Sequence, residues 1–283
     1  LKNVGIFCHP KLARAKGFCE ELSRVLGSLG VSVWVCSALN AEEARGRLEG
    51  TELVFSVGGD GTVLRVARAT VPWPIPILGI NLGRLGFMTE LSPEQALQKL
   101  PALLTGEGWI EERSMLQAEL PSSEAPFHAL NDVVVVRGAI PRVIYVETAI
   151  DGESLTTYRA DGVIVATATG STGYCLAAGG PILHPQSKEI LLKAISPHLT
   201  LDYALVLPST ATVELRVHTD HQAMLSIDGQ ANLPLRDGEV VRVSRSPHVA
   251  RFLRVGSPAA FYSTLNQRLS QIKIGDLESV DVR

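Results

Sequence analysis

No apolar run in this chain approaches the roughly 18 residues that a membrane-spanning helix needs. With 46% hydrophobic against 19% charged residues, disorder is excluded by composition as well. An excess of charge is also missing: 26 Lys and Arg stand against 29 Asp and Glu, a formal net charge of -3. A chain without a basic field does not hold a polyanion irrespective of its sequence, so nucleic acid is a poor first guess for a partner. The four cysteines, Cys8, Cys19, Cys36 and Cys175, form no CxxC pair. They sit among apolar neighbours in a chain too large to need stapling, and free thiols in a reducing compartment are expected. No histidine has metal-ligand spacing such as HExxH, and no structural metal is assigned. Repeats, charge blocks and low-complexity segments are absent, which excludes a solenoid or a tail-bearing scaffold. Residues 1–7 read straight into a buried strand without a signal or transit pattern, so a cytoplasmic protein of bacterial style with no membrane partner is expected.

What the chain does contain is enough for a full core: its 283 residues allow one large domain or two smaller ones sharing a cleft. Over the first hundred residues, strand-like apolar runs at 4–8, 31–36, 53–57 and 75–80 alternate with helical patterns. Leu12, Leu22, Val25, Leu26 and Leu29 supply one approximate 3.6 period, and Ser92-Pro93-Glu94-Gln95 has the form of a capping box with Pro at the first helical position. Such βαβ alternation implies a parallel sheet covered by helices. Beyond it the texture becomes β-rich, with strands expected near 115–120, 129–136, 143–150, 162–168, 204–207, 212–217, 224–227 and 240–243. The division expected is an α/β domain at 1–105 and a β-rich domain at 106–257. A helical segment within 258–283, with Phe261, Leu265, Leu269 and Ile272 in step, is expected to pack back on the first domain.

Gly58-Gly59-Asp60-Gly61-Thr62 follows the run 53–57 and precedes a helical run. Glycines there permit a tight turn and close approach of a ligand, and N–H groups at the helix start form an anion cradle. The competing reading is a plain βα turn with Asp60 capping the helix. Position decides for function, because ligands bind at the carboxyl ends of parallel strands; the spacing fits neither GxGxxG nor a P-loop. The glycine-rich stretch 79–87 repeats the design at the next strand end, either as a second wall of the cleft or as a connection. Asn131-Asp132 by itself reads as a turn. If the strand runs through it, the two polar side chains point to opposite faces of a buried sheet, and the carboxylate needs a ligand such as a sugar hydroxyl.

The stretch 161–181 joins an apolar strand to small and hydroxyl residues, with Tyr174 as its one large side chain, and argues for close contact with a flat ligand on which Tyr174 stacks. Arg142 and Arg159 are the cations assigned to its neighbourhood. Asp228-Gly229-Gln230 reads as a hairpin turn.

Together these residues resemble the NAD kinase family in order and approximate separation over nearly the whole chain. GGDGT alone is shared with diacylglycerol, sphingosine and 6-phosphofructokinases; the stretch 161–181 makes the likeness specific. The resemblance implies a Rossmann-like N-terminal domain, a β-sandwich-like C-terminal domain, and NAD between them in a homodimer or homotetramer. It implies a catalytic Asp60 contacting the adenosine 2′-hydroxyl with Gly61 beside it, and a cation at Arg65. Asn131 and Asp132 match a pair that binds the dinucleotide, here with the shorter acid. Thr172, Gly173, Tyr174, Cys175, Leu176 and Ala177 match the loop around the nucleotide, and Arg142, Arg159, Asp161 and Gln230 match further binding positions. The activity implied is phosphorylation of NAD to NADP with ATP or polyphosphate and a divalent ion, Mg²⁺. A lipid or sugar kinase sharing GGDGT and a non-catalytic NAD sensor are the rivals; the first leaves Tyr174 without a role, the second leaves Asp60 without one.

Overall fold

The computed structural model describes residues 1–263 apart from 84, 85 and 199–201, together with 265, 266, 268 and 269; of 41–43 only the backbone is described. The chain divides into two compact units, Leu1–Glu111 with Arg251–Arg283, and Glu112–Ala250.

The first unit is α/β. Its elements are β1 (Asn3–Cys8), α1 (Ala13–Ser28), β2 (Ser32–Ser37), α2 (Ala41–Leu48), β3 (Leu53–Gly58), α3 (Asp60–Thr70), β4 (Pro76–Asn81) and α4 (Pro93–Leu104). The strands pair in parallel in the order β2-β1-β3-β4. Every residue of β3 is buried, as a strand covered on both faces requires, and this is why it reads as an unbroken apolar run. Phe18, Cys19, Leu22 and Leu26 of α1 share one core with Leu100 and Leu103 of α4 and with Ile6, Phe55 and Ile80. The capping box forms as the sequence predicts: Ser92 Oγ accepts from Gln95 N at 3.2 Å, and Ser92 N donates to Gln95 Oε1 at 2.9 Å. The helix α2 was not anticipated.

One expectation fails here. Cys8 and Cys19 are joined as a disulfide, with Cα atoms 6.5 Å apart, while Cys36 and Cys175 are buried outside any disulfide. The physical reason is that α1 returns across the sheet it follows, so its second turn passes the end of β1. Spacing alone does not reveal that pairing.

The second unit is sheet-rich. It holds β5 (Trp109–Glu119, from residue 112), β6 (Phe127–Ala129), β7 (Asp132–Arg137), β8 (Ile144–Ile150), β9 (Glu153–Ala160) and β10 (Gly162–Ala166). A 3₁₀ turn at Gly170–Thr172 and α5 (Tyr174–Ala177) follow, then β11 (Ile190–Ile195), β12 (Leu205–Leu207), β13 (Val213–His218), β14 (Ala223–Ile227), β15 (Ala231–Leu235) and β16 (Val240–Arg254, to residue 250). One antiparallel sheet runs β12-β11-β10-β7-β14-β15, and β13 pairs antiparallel with both β8 and β16 in the other. Val133 and Val135, Val163 and Val165, and Leu215 and Val243 fill one core between the inner faces. The alternation along β7 leaves Asp132, Val134 and Val136 on the opposite face.

The expected strand 129–136 is broken: β6 ends at Ala129 and β7 starts at Asp132. The cause is a buried carboxylate, Asp228, that takes the N–H groups of Leu130, Asn131 and Asp132 in place of a ladder partner. Strands β9, β11 and β15 were also missed. β15 carries Pro234 and lies at a sheet edge, where Pro is tolerated. β11 is fully buried but contains Lys193, whose Nζ reaches Asp202 Oδ1 at 2.7 Å. Of the expected C-terminal helical run, 261–263, 265, 266, 268 and 269 are helical, and the part that includes Ile272 lies outside the described residues.

Candidate functional site

In the first unit, β3 and β4 end side by side, with Gly58 opposite Asn81. Parallel neighbours deliver their following turns to one edge, which places the GGDGT turn against residues 86–89. The helix α3 begins at Asp60 with Gly59 as its cap residue, and no side chain caps it. Asp60 is therefore not a helix cap. Its carboxylate turns to the neighbouring connection, where Oδ2 accepts from Phe87 N at 2.7 Å and Oδ1 from Met88 N at 3.1 Å and Thr89 N at 3.3 Å. Gly86 makes this approach possible, since a Cβ there would lie 2.1 Å from Asp60 Oδ1. The expected second wall thus exists as a cradle for Asp60 itself; Arg84 and Leu85 within it lie outside the described residues. Gly61 and the half-buried Arg65 stand on the first turns of α3.

Four residues that no local pattern announces, Arg254, Glu90, Glu111 and Arg268, hold that cradle from behind. Arg254 donates through Nη1 to Met88 O at 2.9 Å and Glu90 Oε2 at 3.0 Å, and through Nε to Glu111 Oε2 at 2.7 Å. Glu90 Oε1 in turn accepts from Val255 N and Gly256 N, both at 2.8 Å. Arg268 lies over the Phe87 ring at 5.7 Å, and burial together with repulsion from Arg254 lowers its proton affinity.

The second unit carries a pocket of about 480 Å³ whose lining includes Asn131, Asp132, Tyr174, Ser226, Asp228 and Asn232. Asp132 is buried, and its carboxyl is raised to about 7, chiefly by burial and then by the charge of Asp228. The Oδ1 of Asn131 is buried and has no hydrogen-bond partner among the described residues. Tyr174 is 45% exposed, so its ring is available to a ligand.

The rest of the nucleotide-loop segment behaves differently from the expectation. Its small residues serve the fold: a Cβ at Gly170 would lie 2.1 Å from Asn131 O, and one at Gly180 would lie 2.4 Å from Cys175 Sγ. The hydroxyls of Thr172 and Ser171 are engaged internally, Thr172 Oγ1 with Thr169 O at 3.1 Å and Ser171 Oγ with Ala168 O at 2.6 Å, whereas the buried Thr169 Oγ1 has no hydrogen-bond partner among the described residues. Gly173 approaches the Asn131 amide, Leu176 is half-buried and Ala177 exposed. Cys175 is fully buried in an apolar cluster, which pushes its thiol up to about 11.

Asp161 pairs with Arg137, Nε to Oδ1 at 2.7 Å, a cation that sequence reading passed over for Arg142 and Arg159. Those two are exposed, and Gln230 closes the β14–β15 turn by donating its N–H to Ile227 O at 2.9 Å. None of Arg142, Arg159, Asp161 and Gln230 lines the pocket.

Residues 44–108 match the family described as ATP-NAD kinase N-terminal domain, and residues 130–255 match the ATP-NAD kinase C-terminal domain. The chain is 48% identical to an NAD kinase of Dehalococcoides mccartyi strain CBDB1 over 283 residues, covering 99% of this chain and 98% of the relative. It is 44% identical to an NAD kinase of Chloroflexus aurantiacus, covering 95% and 99% respectively. Among solved structures, yeast NADH kinase complexed with NADH aligns at a TM-score of 0.82 and 25% identity over 100% of this chain and 89% of that one. An NAD kinase of Archaeoglobus fulgidus in complex with ATP aligns at 0.77 and 27% identity, over 95% and 99%.

The environment of Asp132 makes stability depend on pH. In the folded chain it keeps its proton up to about pH 7, whereas in the unfolded chain it loses it near pH 4. The folded state binds more protons between these values, so the contribution is fully present below about pH 4 and is lost as pH rises to about 7. Urea midpoints of the second unit should fall between pH 5 and pH 8. Asp132→Asn should flatten that dependence; an unchanged slope would place the proton elsewhere.

Proposed function

The chain belongs to the NAD kinase family, and on that premise we infer how its residues share the phosphorylation of NAD. It is a kinase that transfers phosphate to NAD, and the lipid- and sugar-kinase readings fall away. The acceptor proposed is the 2′-hydroxyl of the adenosine ribose, giving NADP, with ATP or polyphosphate as donor. The observation that carries the catalytic assignment is the carboxylate of Asp60 held by three backbone N–H groups. A carboxylate has about four lone-pair sites. Oδ1 accepts two N–H groups and Oδ2 one, which leaves Oδ2 a place for the ribose hydroxyl. In a loose phosphoryl-transfer transition state the hydroxyl keeps its proton until late, so a fixed acceptor contributes mainly through orientation.

Gly61 and Arg65, on the turns after Asp60, are proposed to meet phosphate. Asn131 supports binding through its unpartnered Oδ1, Asp132 through a carboxyl able to donate or accept near neutrality, and Tyr174 through its exposed ring. Thr172, Gly173, Leu176 and Ala177 are proposed to border the nucleotide. Cys175 joins them by its backbone, because its thiol faces the core. Arg142, Arg159 and Gln230 are proposed as further binding positions, and Asp161 as a residue that serves the site of a neighbouring copy. A homodimer or homotetramer is proposed accordingly; sedimentation showing a fully active monomer would remove it.

The divalent ion proposed is Mg²⁺. No cluster of three or more His, Cys, Asp or Glu able to hold a metal occurs among the described residues. The ion is proposed to arrive on the donor phosphates and to keep most of its water, as Mg²⁺ does in phosphoryl-transfer sites. When bound it neutralises phosphate charge. The domain limits near 105 and 257, with the C-terminal segment on the first domain, and a cytoplasmic location remain part of the proposal; among the described residues no helix is long and apolar enough to cross a membrane.

The direct test incubates the purified chain with NAD, Mg²⁺ and either donor. NADP should form, and its absence with both donors would overturn the reading. Asp60→Asn should lower kcat by about 10²–10⁴. Because an amide has one oxygen for three donors, that variant also disturbs the cradle. Gly86→Ala separates the two effects: it displaces the carboxylate while keeping its charge, and kcat should again fall with KM for NAD changed less. A fully active Gly86→Ala enzyme would show that the position of Asp60 is immaterial. Tyr174→Ala should weaken NAD binding by roughly 1–3 kcal/mol with a smaller change in kcat, since a ring stacked on a non-reacting group stabilises ground and transition states alike. An unchanged KM would remove Tyr174 from the site.

A further inference from the structure

Asp-Gly is a common pair in a tight hairpin turn, and Asp228 and Gly229 adopt the left-handed conformations such a turn uses, with φ of 52° and 64°. An acid needed only for the turn would face water. Asp228 is instead 7% exposed, and its carboxylate points across the sheet. Its Oδ2 accepts from Leu130 N at 2.9 Å, and its Oδ1 accepts from Asn131 N at 2.7 Å and Asp132 N at 3.1 Å. Its own N–H donates to Asp132 O at 3.0 Å. From the other side, Thr167 donates its hydroxyl to Leu130 O at 2.6 Å and its N–H to Asn131 O at 2.9 Å. Every backbone N–H and C=O of 130–132 is thereby held by two residues, although Leu130 and Asn131 belong to no strand and Asp132 only begins β7. The backbone is rigid where the strand breaks, and the Asn131 and Asp132 side chains reach the pocket wall.

A turn residue that merely tied this segment down would not need a charge beside another buried acid. Two adjacent carboxyls in a dry site do not both ionise readily. The three N–H donors on Asp228 favour the charge there, and Asp132 holds the proton. We propose that Asp228 is a positioning residue for NAD: it clamps 130–132 so that Asn131 and Asp132 face the dinucleotide, and its charge keeps Asp132 a hydrogen-bond donor to a substrate oxygen. The proposal rests on the NAD reading above. The titratable groups facing Asp132 are Asp228 from the β14–β15 turn and Tyr174 and Cys175 from α5; Lys193 bears on Cys175, and Asp161 and Arg137 bear on Tyr174.

The test measures Kd for NAD by calorimetry, without phosphoryl donor, between pH 5.5 and 8.5, with kcat alongside. Wild-type affinity should weaken as pH passes about 7, where Asp132 loses its proton. Asp228→Asn should raise Kd about tenfold or more and move the inflection down by about one pH unit, because the repelling charge is gone. Asp228→Glu keeps the charge and should keep the inflection near its wild-type position even if the clamp loosens. Where Asp228→Asn does not fold, Asp132→Asn serves: it retains a donor and should bind NAD with no inflection near 7. A wild-type Kd and inflection in Asp228→Asn, or an inflection that survives in Asp132→Asn, overturns the proposal. A wild-type chain that forms no NADP removes the underlying reading instead.

Discussion

A carboxylate that takes three consecutive backbone N–H groups fixes an irregular stretch of backbone in each unit, and the proposed chemistry is built on it. The described residues show it in both units, as Asp60 on Phe87, Met88 and Thr89 and as Asp228 on Leu130, Asn131 and Asp132. Irregular backbone beside a ligand site has no ladder to satisfy its donors, and an unpaired buried N–H costs about 1–3 kcal/mol. A carboxylate answers several donors at once through charge-assisted bonds. Both carboxylates accept two N–H groups on Oδ1 and one on Oδ2; Asp60 carries the proposed catalytic role, whereas Asp228 holds the segment 130–132 beside the buried Asp132.

The first cradle is reinforced through the peptide groups themselves. The peptide between Met88 and Thr89 donates its N–H to Asp60 and accepts Arg254 on its carbonyl. The peptide between Phe87 and Met88 likewise gives its N–H to Asp60, with Arg268 Nη1 3.5 Å from its carbonyl. A cation on one side of a peptide and an anion on the other polarise it in the same sense, which strengthens both bonds in a low dielectric. The buried Arg254–Glu90–Glu111 network is weak evidence for stability on its own, because desolvating such charges is expensive. Its geometric consequence is specific: it aims the donors at Asp60. In the second unit Thr167 has the corresponding role without charge, holding the carbonyls of Leu130 and Asn131 while Asp228 holds the N–H groups.

Hydrophobic period and turn chemistry determined much of this protein before any tertiary contact was known. Fully buried strands such as β3 read as continuous apolar runs, the capping box at Ser92 is local, and the placement of Asp60 at a strand end follows from βαβ order. Weakly patterned segments such as β9, β15 and α2 escaped because exposed edges and short surface helices carry little apolar signal. The tertiary structure alone decided what each acid touches. Asp60 meets donors 27 to 29 residues away, Asp228 meets donors 96 to 98 residues away, and Arg254 meets Glu111 across 143. Those encounters are set by which strands lie side by side and in what register, so Asp228 looks like any hairpin acid in the sequence, and Cys8 and Cys19 look like two separate thiols. A side chain's type and its local period belong to the sequence, but its partner belongs to the packing, because hydrogen bonds and ion pairs are satisfied by whatever the fold brings within about 3 Å.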